Sequence, residues 1–146
     1  PNREPEVLSE VPEALKNGLS IKPLEYHKNQ QAYFAVYASE EDVKNVVPDL
    51  EKLKTLAPLD VVVTAPSRAY DFASRYFWPA NGGVEDPVTG SIHAGLAPFW
   101  AKRLGKKEFV ALQASARSGV LYCFVEEERI VVSGTCVEYL KGYIAI

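Results

Sequence analysis

The stretch from Gly90 to Leu104 is the strongest constraint in the sequence. It reads as a helix, with Gly105 standing where a C-terminal cap belongs. Ile92, Ala94, Leu96, Ala97, Phe99, Trp100 and Leu104 cover nearly the whole circumference of that helix. A helix that is apolar all round has to be surrounded by the rest of its chain. The segments on either side read mostly as strands. The expected fold is therefore α+β, a strongly curved, mainly antiparallel sheet wrapped around one central helix. Pro98 lies inside that helix. It should remove one backbone hydrogen bond and bend the axis.

Pro1 to Glu10 is polar and punctuated by prolines, which predicts a linker or surface arm. Val11 to Leu19 predicts a short helix stopped at Gly18. Residues 1–20 then form an arm with a short helix, and residues 21–146 the domain proper. Ile21 to His27 and Tyr33 to Ala38 predict two strands joined by a polar turn over Lys28 to Gln31. Ser39 can cap a helix with Asp42 three residues on, ending at Val47 before Pro48. Asp49 can cap another through Leu56. Val61-Val62-Val63 has the composition of a buried strand. Asp71 to Trp78 alternates, with Phe72, Ser74, Tyr76 and Trp78 on one face and Ala73, Arg75 and Phe77 on the other. Three strands are expected to close the chain: Phe109 to Ala114, Gly119 to Val125, and Arg129 to about Tyr143, broken near Ser133-Gly134.

A chain of 146 residues is one ordinary domain, large enough to bury roughly two-thirds of its unfolded surface. Its net charge is -3, with no block of Lys and Arg, so it carries no electrostatic footprint for nucleic acid or an anionic membrane. No apolar run approaches the ~20 residues of a membrane-spanning helix. No signal peptide is evident, and a soluble, cytoplasmic protein is expected. The chain starts at Pro1 and has no methionine. Initiator removal ahead of proline fits that start, and so does a fragment of a longer protein. If Glu126 faces Arg129 in the last hairpin, Cys123 faces Val132 and not Cys136, so both cysteines are expected to be buried free thiols.

Glu85-Asp86-Pro87-Val88-Thr89-Gly90-Ser91 leads into the N-terminus of the buried helix. First-turn N–H groups have no intrahelical partner, and the positive end of the helix dipole lies behind them. Such a place binds carboxylate or phosphate without a basic side chain. Gly90 lets a ligand approach the backbone, Ser91 adds a hydroxyl, and Asp86 stands ready to exchange a proton beside a bound anion. The same residues also fit a ligand-free Asx turn and helix cap. Caps of that kind are common and catalytic aspartates are rare.

The run Asp71-Phe72-Ala73-Ser74-Arg75-Tyr76-Phe77, then Pro79-Ala80, then Glu85 through Ser91-Ile92-His93, resembles the signature of the PhzF-like isomerase family of phenazine biosynthesis. Leu96-Ala97-Pro98-Phe99-Trp100, Arg103 to Lys106, Gln113 to Gly119 and Ser133-Gly134 continue the match. The family is similar in fold to diaminopimelate epimerase, with two pseudo-symmetric domains, each a sheet around a helix, and the active site between them. The resemblance implies that this chain is the C-terminal half of such a fold. It implies that Asp86 and Ser91 match the catalytic-site aspartate and serine of that half. Thr89, Gly90, Ser91, Ile92 and His93 would bind the substrate, the N–H groups of Gly90 and Ser91 meeting its carboxylate. The implied substrate is a small carboxylic acid like a cyclic dihydro-hydroxyanthranilate, which loses a proton at one carbon and regains it at another. No cofactor and no metal are implied. The family's general acid/base glutamate and active-site histidine lie in the N-terminal domain, and no residue here takes those roles. A half-fold should also pair, with a second copy of itself or with the missing half.

Racemases of this fold use paired cysteines at the two helix N-termini. Thr89-Gly90-Ser91 holds that position here, which favours carboxylate-based proton transfer. His93 fits a hydrogen-bonded packing residue better than a substrate contact across the cleft. Arg75 fits an ion pair better than an anion site. Tyr76, Phe77 and Trp78 fit either a pocket wall or core. His27 lies on a strand with no acidic or cysteine partner nearby, which gives no basis for a metal site. The competing reading is a non-catalytic half-domain that binds a small anion or docks to a partner protein.

Overall fold

The computed structural model describes residues 1–144. In chain order the elements are β1 (Glu6–Val7), α1 (Glu13–Asn17), β2 (Glu25–Lys28), β3 (Ala32–Val36), α2 (Glu40–Asn45), α3 (Leu50–Lys54), β4 (Asp60–Pro66) and β5 (Phe72–Phe77). A 3-10 turn over Pro79–Asn81 follows, then β6 (Glu85–Asp86), α4 (His93–Leu104), β7 (Glu108–Gln113), β8 (Gly119–Val125) and β9 (Ile130–Gly134). All strands join one sheet in the order β1-β2-β3-β4-β5-β7-β8-β9, with β6 paired to β5. Only β3–β4 and β5–β7 are parallel, so the sheet is mainly antiparallel as expected.

Parallel neighbours require a crossover connection, and the helices after β3 lie in those two crossovers. The β3–β4 crossover lays α2 and α3 on one face, where Val43, Val46, Leu53 and Leu56 pack with Val61, Val63, Ala65 and Phe77. The β5–β7 crossover lays α4 on the other. There Leu96, Ala97, Phe99 and Trp100 share a core with side chains from β3, β4, β5, β7 and β8, and β9 adds Ile130 and Val132 at its margin. Six strands at about 4.8 Å spacing extend over roughly 24 Å, whereas a helix with its side chains is about 10–12 Å across. One helix can reach all six only if the sheet curves around it. The triple-valine run now has its cause, since Val62 faces α4 while Val61 and Val63 face the outer helices.

Helix α4 is buried over its first two turns, but Lys102, Arg103, Leu104 and Gly105 are not. The all-round apolar expectation fails at Leu104, which is 41% exposed. Gly105 ends the helix in the left-handed conformation, as a C-terminal glycine should. The Trp100 indole donates to the buried Thr64 hydroxyl at 3.0 Å, which in turn donates to the Ala73 carbonyl.

Pro98 has no N–H to give the carbonyl of Ala94. The backbone N–H of Arg3 takes that acceptor at 3.0 Å. The N-terminal segment is thus fastened to the helix at the place proline opens, and β1 adds to the edge of β2. The sequence gives no sign of that strand. Gly95 lets this happen, because a Cβ there would lie 2.8 Å from Asn29 Nδ2 and Phe34 Cζ and 3.0 Å from the Arg3 carbonyl oxygen.

Three further expectations change. The last strand ends at Gly134 instead of continuing to Tyr143, and among the described residues beyond it there is no strand. Cys123 pairs with Val132 as expected and is buried, which pushes its thiol up to about 12, but Cys136 is exposed. His27 does have an acidic partner: Glu25, two residues along the same strand, lies 3.0 Å from its Nε2. Arg103 first, and His27 second, hold the Glu25 carboxyl down at about 2. Among the described residues, no helix is long and apolar enough to cross a membrane.

Gly95→Ala is expected to cost about 1–3 kcal/mol, because the methyl overpacks the crossing of arm, β3 and helix. Urea unfolding measures it. An unchanged midpoint would show that the arm moves aside freely.

Candidate functional site

Strand β6 folds back on β5, setting Asp86 opposite Tyr76 and Glu85 opposite Phe77. Arg75 fixes this return. Its guanidinium grips Glu85 through two bonds of 2.8 and 3.1 Å and donates to the carbonyls of Val43, Lys44 and Val46 at the end of α2. Arg75 is spent on that ion pair and cap.

From Asp86 the chain turns into α4. Asp86 Oδ2 accepts from the Thr89 hydroxyl at 2.8 Å, and Oδ1 faces the Val88 N–H at 3.4 Å. This is the local Asx-type turn that the residues also allowed. A carboxylate has about four lone-pair sites, so both oxygens keep acceptor capacity. The first helical turn is tight. His93 N–H donates to Gly90 and Ala94 N–H to Ser91, while Gly95 and Leu96 both donate to Ile92. The bonds of His93, Ala94 and Gly95 span i to i+3 and displace the start of regular helix from Gly90 to His93. Among the described residues, no protein group accepts from the N–H groups of Gly90, Ser91 or Ile92. Gly90 and Ser91 are exposed, and a Cβ on Gly90 would meet nothing within 4 Å. Three unpaired donors thus lie at the positive end of a twelve-residue helix, and the first two belong to exposed residues while Ile92 is buried.

Gln113 at the end of β7 organises the loop from beneath. It is fully buried; its Oε1 accepts from Thr89 N–H at 2.7 Å. Its Nε2 donates to the Asp86 carbonyl at 2.8 Å and reaches Thr89 Oγ1 at 3.1 Å. The role of Gln113 escaped the sequence reading, although a signal exists. It shares the inward face of β7 with Phe109 and Ala111, and a buried polar side chain there needs partners. Gln31 was missed as well, hidden in what reads as an ordinary turn. Its Nε2 lies 2.8 Å from Ser91 Oγ.

The structure thus brings together Asp86, Thr89, Gly90, Ser91 and Ile92 around one turn. The His93 ring lies beneath it. It is completely buried and stacks on Phe72 at 6.0 Å. Its Nδ1 donates to the Thr89 carbonyl at 2.8 Å, leaving Nε2 buried without a partner. Burial holds its pKa down at about 4, so the ring is neutral at physiological pH. Tyr76 and Phe77 are core, while Trp78 is partly exposed. Among the described residues, no cluster of His, Cys, Asp and Glu is placed to hold a metal.

His93 gives a test of this burial. Unfolded, the ring protonates near its ordinary 6.5; folded, only near 4. Between those values the unfolded state binds the extra proton, so stability falls as the pH drops. The expected slope from this group is roughly 1.4 kcal/mol per pH unit. Urea unfolding from pH 6.5 to 4.5 should show it, and His93→Gln should flatten it. An equal slope in the variant would mean that the ring is not buried neutral.

Comparison with known proteins identifies the group. The family model for phenazine biosynthesis-like proteins matches residues 4–142. An uncharacterized isomerase of Pseudomonas aeruginosa is 43% identical over 142 residues, covering 97% of this chain and 54% of that protein. An uncharacterized isomerase of Halalkalibacterium halodurans is 38% identical over 144 residues, with the same coverage. A PhzF-family crystal structure from Enterococcus faecalis superposes with a TM-score of 0.89 at 37% identity, covering all of this chain and 56% of that one. The chain spans about half the length of the curated relatives it matches. With the fold, the helix-terminal turn and these likenesses in agreement, the chain belongs to the phenazine biosynthesis-like PhzF family.

Proposed function

We propose that this chain supplies one wall of the active site of a PhzF-like isomerase that moves a proton on a small, cyclic carboxylic acid. The observation that carries this reading is the open turn at Gly90–Ile92, whose three N–H groups have no protein acceptor among the described residues. Such a turn holds a carboxylate through backbone donors and the helix dipole. Ser91 adds a hydroxyl beside it, and Asp86 is the acidic side chain of the same loop. Isomerase-named relatives support the reaction class at the level of the family. The proton-shuttling general acid/base would come from a complementary half. Pairing through an apolar surface accords with the outer face of β7–β9, where Val110, Tyr122, Phe124 and Val131 are exposed. No cofactor enters this reaction.

The Asx turn at Asp86 favours a second reading, in which the loop binds an anion and performs no chemistry. One comparison separates the two. Joined to a complementary half, Asp86→Ala should slow exchange of substrate protons with heavy water by ~100-fold or more. The same change removes cap-like bonds and should cost only about 1 kcal/mol of stability. Ser91→Ala should slow exchange less, because the backbone donors survive. Full exchange activity in Asp86→Ala, or its unfolding, would leave Asp86 a structural residue. A companion test is Gly90→Ala in the same protein. Nothing crowds that Cβ, so thermal unfolding should not change, but the methyl should obstruct the ligand face and raise KM. An unaltered KM would move the carboxylate elsewhere.

A further inference from the structure

Ser91 is tied to a chain of hydrogen bonds that runs through Gln31 and Tyr76 to Asp60 at the start of β4. Gln31 Nε2 lies 2.8 Å from Ser91 Oγ and 3.2 Å from the Tyr76 phenol oxygen. The phenol is 2.6 Å from Asp60 Oδ2, and Asn81 Nδ2 donates to Asp60 Oδ1 at 2.8 Å. Gln31 Oε1 faces Arg3 Nη1 at 3.5 Å, the outer limit for a hydrogen bond. Arg3 is brought there by its backbone bond to Ala94, and its own Nε is buried without an acceptor.

The direction of each bond follows from its end. As a carboxylate, Asp60 can only accept, so Tyr76 must give it the phenolic proton. Burial first, and the bond to Asp60 second, raise the Tyr76 pKa and keep that proton in place. The phenol oxygen then has only lone pairs left for Gln31, so the NH2 side of the amide must face it. The amide carbonyl then turns toward Arg3, which has donors alone. Each neighbour selects the same orientation. The second proton of that NH2 goes to Ser91 Oγ. Ser91 therefore accepts from the protein, and among the described residues its own proton has no protein acceptor.

We infer that Gln31 is a positioning residue that makes the Ser91 hydroxyl a donor toward the ligand, with Tyr76 and Asp60 fixing the Gln31 amide. The inference rests on the reading that an anion occupies the Gly90–Ile92 turn. It narrows that reading, since hydroxyl and backbone N–H groups all present protons to one place. The turn then selects a ligand with acceptor oxygens, such as carboxylate or sulfate. Ser91, accepting from Gln31 and donating to the ligand, orients it.

Sulfate binding to the 146-residue chain tests this, followed through the amide NMR shifts of Gly90, Ser91 and Ile92. Ser91→Ala should weaken binding roughly tenfold, the worth of one hydrogen bond to a charged group. Gln31→Met should weaken it less, about threefold, because the freed hydroxyl can still donate but must be fixed among its staggered rotamers on binding. In the Ser91→Ala background Gln31→Met should add nothing, since it acts through the missing hydroxyl. Gln31→Glu should weaken binding more than Gln31→Met, because it adds an acceptor and a negative charge. Tyr76→Phe keeps the ring and frees the amide, so its effect should also vanish without Ser91. Multiplying effects of Gln31→Met and Ser91→Ala, or undiminished affinity in Gln31→Met, would overturn the relay while leaving the anion site standing. Failure of the unsubstituted chain to bind sulfate, with those amide shifts unmoved, would overturn both.

Discussion

Burial of α4 against the curved sheet is the constraint on which the rest of the structure depends. A helix buried at every position from Gly95 to Trp100 turns all its faces to the protein and cannot rest on a flat sheet, and the strands from β3 to β9 bend to meet it. Curvature and connectivity solve the same problem. The helix enters through the β5–β7 crossover, so its N-terminus follows directly from the return strand β6. The loop carrying Asp86 is the last piece of chain before the helix dipole begins. The chemistry of the turn is thus a by-product of the packing problem. The core decides where the helix lies, and its unpaired N–H groups open at the rim of the sheet.

The proline in α4 shows how one local defect is put to use. Pro98 cannot bond to the Ala94 carbonyl, which would be an unsatisfied acceptor in a mostly buried helix. The Arg3 N–H fills it, and Gly95 clears the space. A segment that reads as a polar, proline-rich arm is held against the central helix by a backbone bond. Its side chain then reaches the Gln31 amide. Sequence, packing and site are connected here through a single carbonyl oxygen.

Much of this was legible in the residues. The all-apolar helix gave the sheet its expected curvature, and the alternation of Phe72, Ser74 and Tyr76 against Ala73, Arg75 and Phe77 gave β5 its two faces. Ser39 and Asp49 cap α2 and α3 through the N–H groups of Asp42 and Lys52, as their side chains suggested. Regular helix begins three residues after Gly90, because tight i to i+3 bonding at Gly90–Ile92 leaves no mark in composition. The Arg3 and Gln31 contacts were invisible for another reason. They join positions distant in sequence, and no local periodicity reports a bond between a turn residue and a helix some 60 positions away. Gln113 was the intermediate case. A polar residue on an inward face announces that it has partners, without saying which.

The polarity of the site follows from what lies under it. Thr89 is held at both backbone groups, its N–H by Gln113 and its carbonyl by His93, so neither is free for a ligand. Gln113 also holds the Asp86 carbonyl. Gln113 and His93 thus occupy the carbonyls of Asp86 and Thr89, and among the described residues the next three N–H groups have no protein acceptor. His93 can do this only as a neutral ring, and its complete burial keeps it neutral. A charged ring there would repel the positive end of α4 and carry an unpaired proton on Nε2. The two buried side chains act together as a template. They fix the peptide groups of Asp86 and Thr89 just ahead of the unpaired donors. No basic side chain lies in the Glu85–Ser91 loop, so its positive potential comes from peptide N–H groups and the helix dipole.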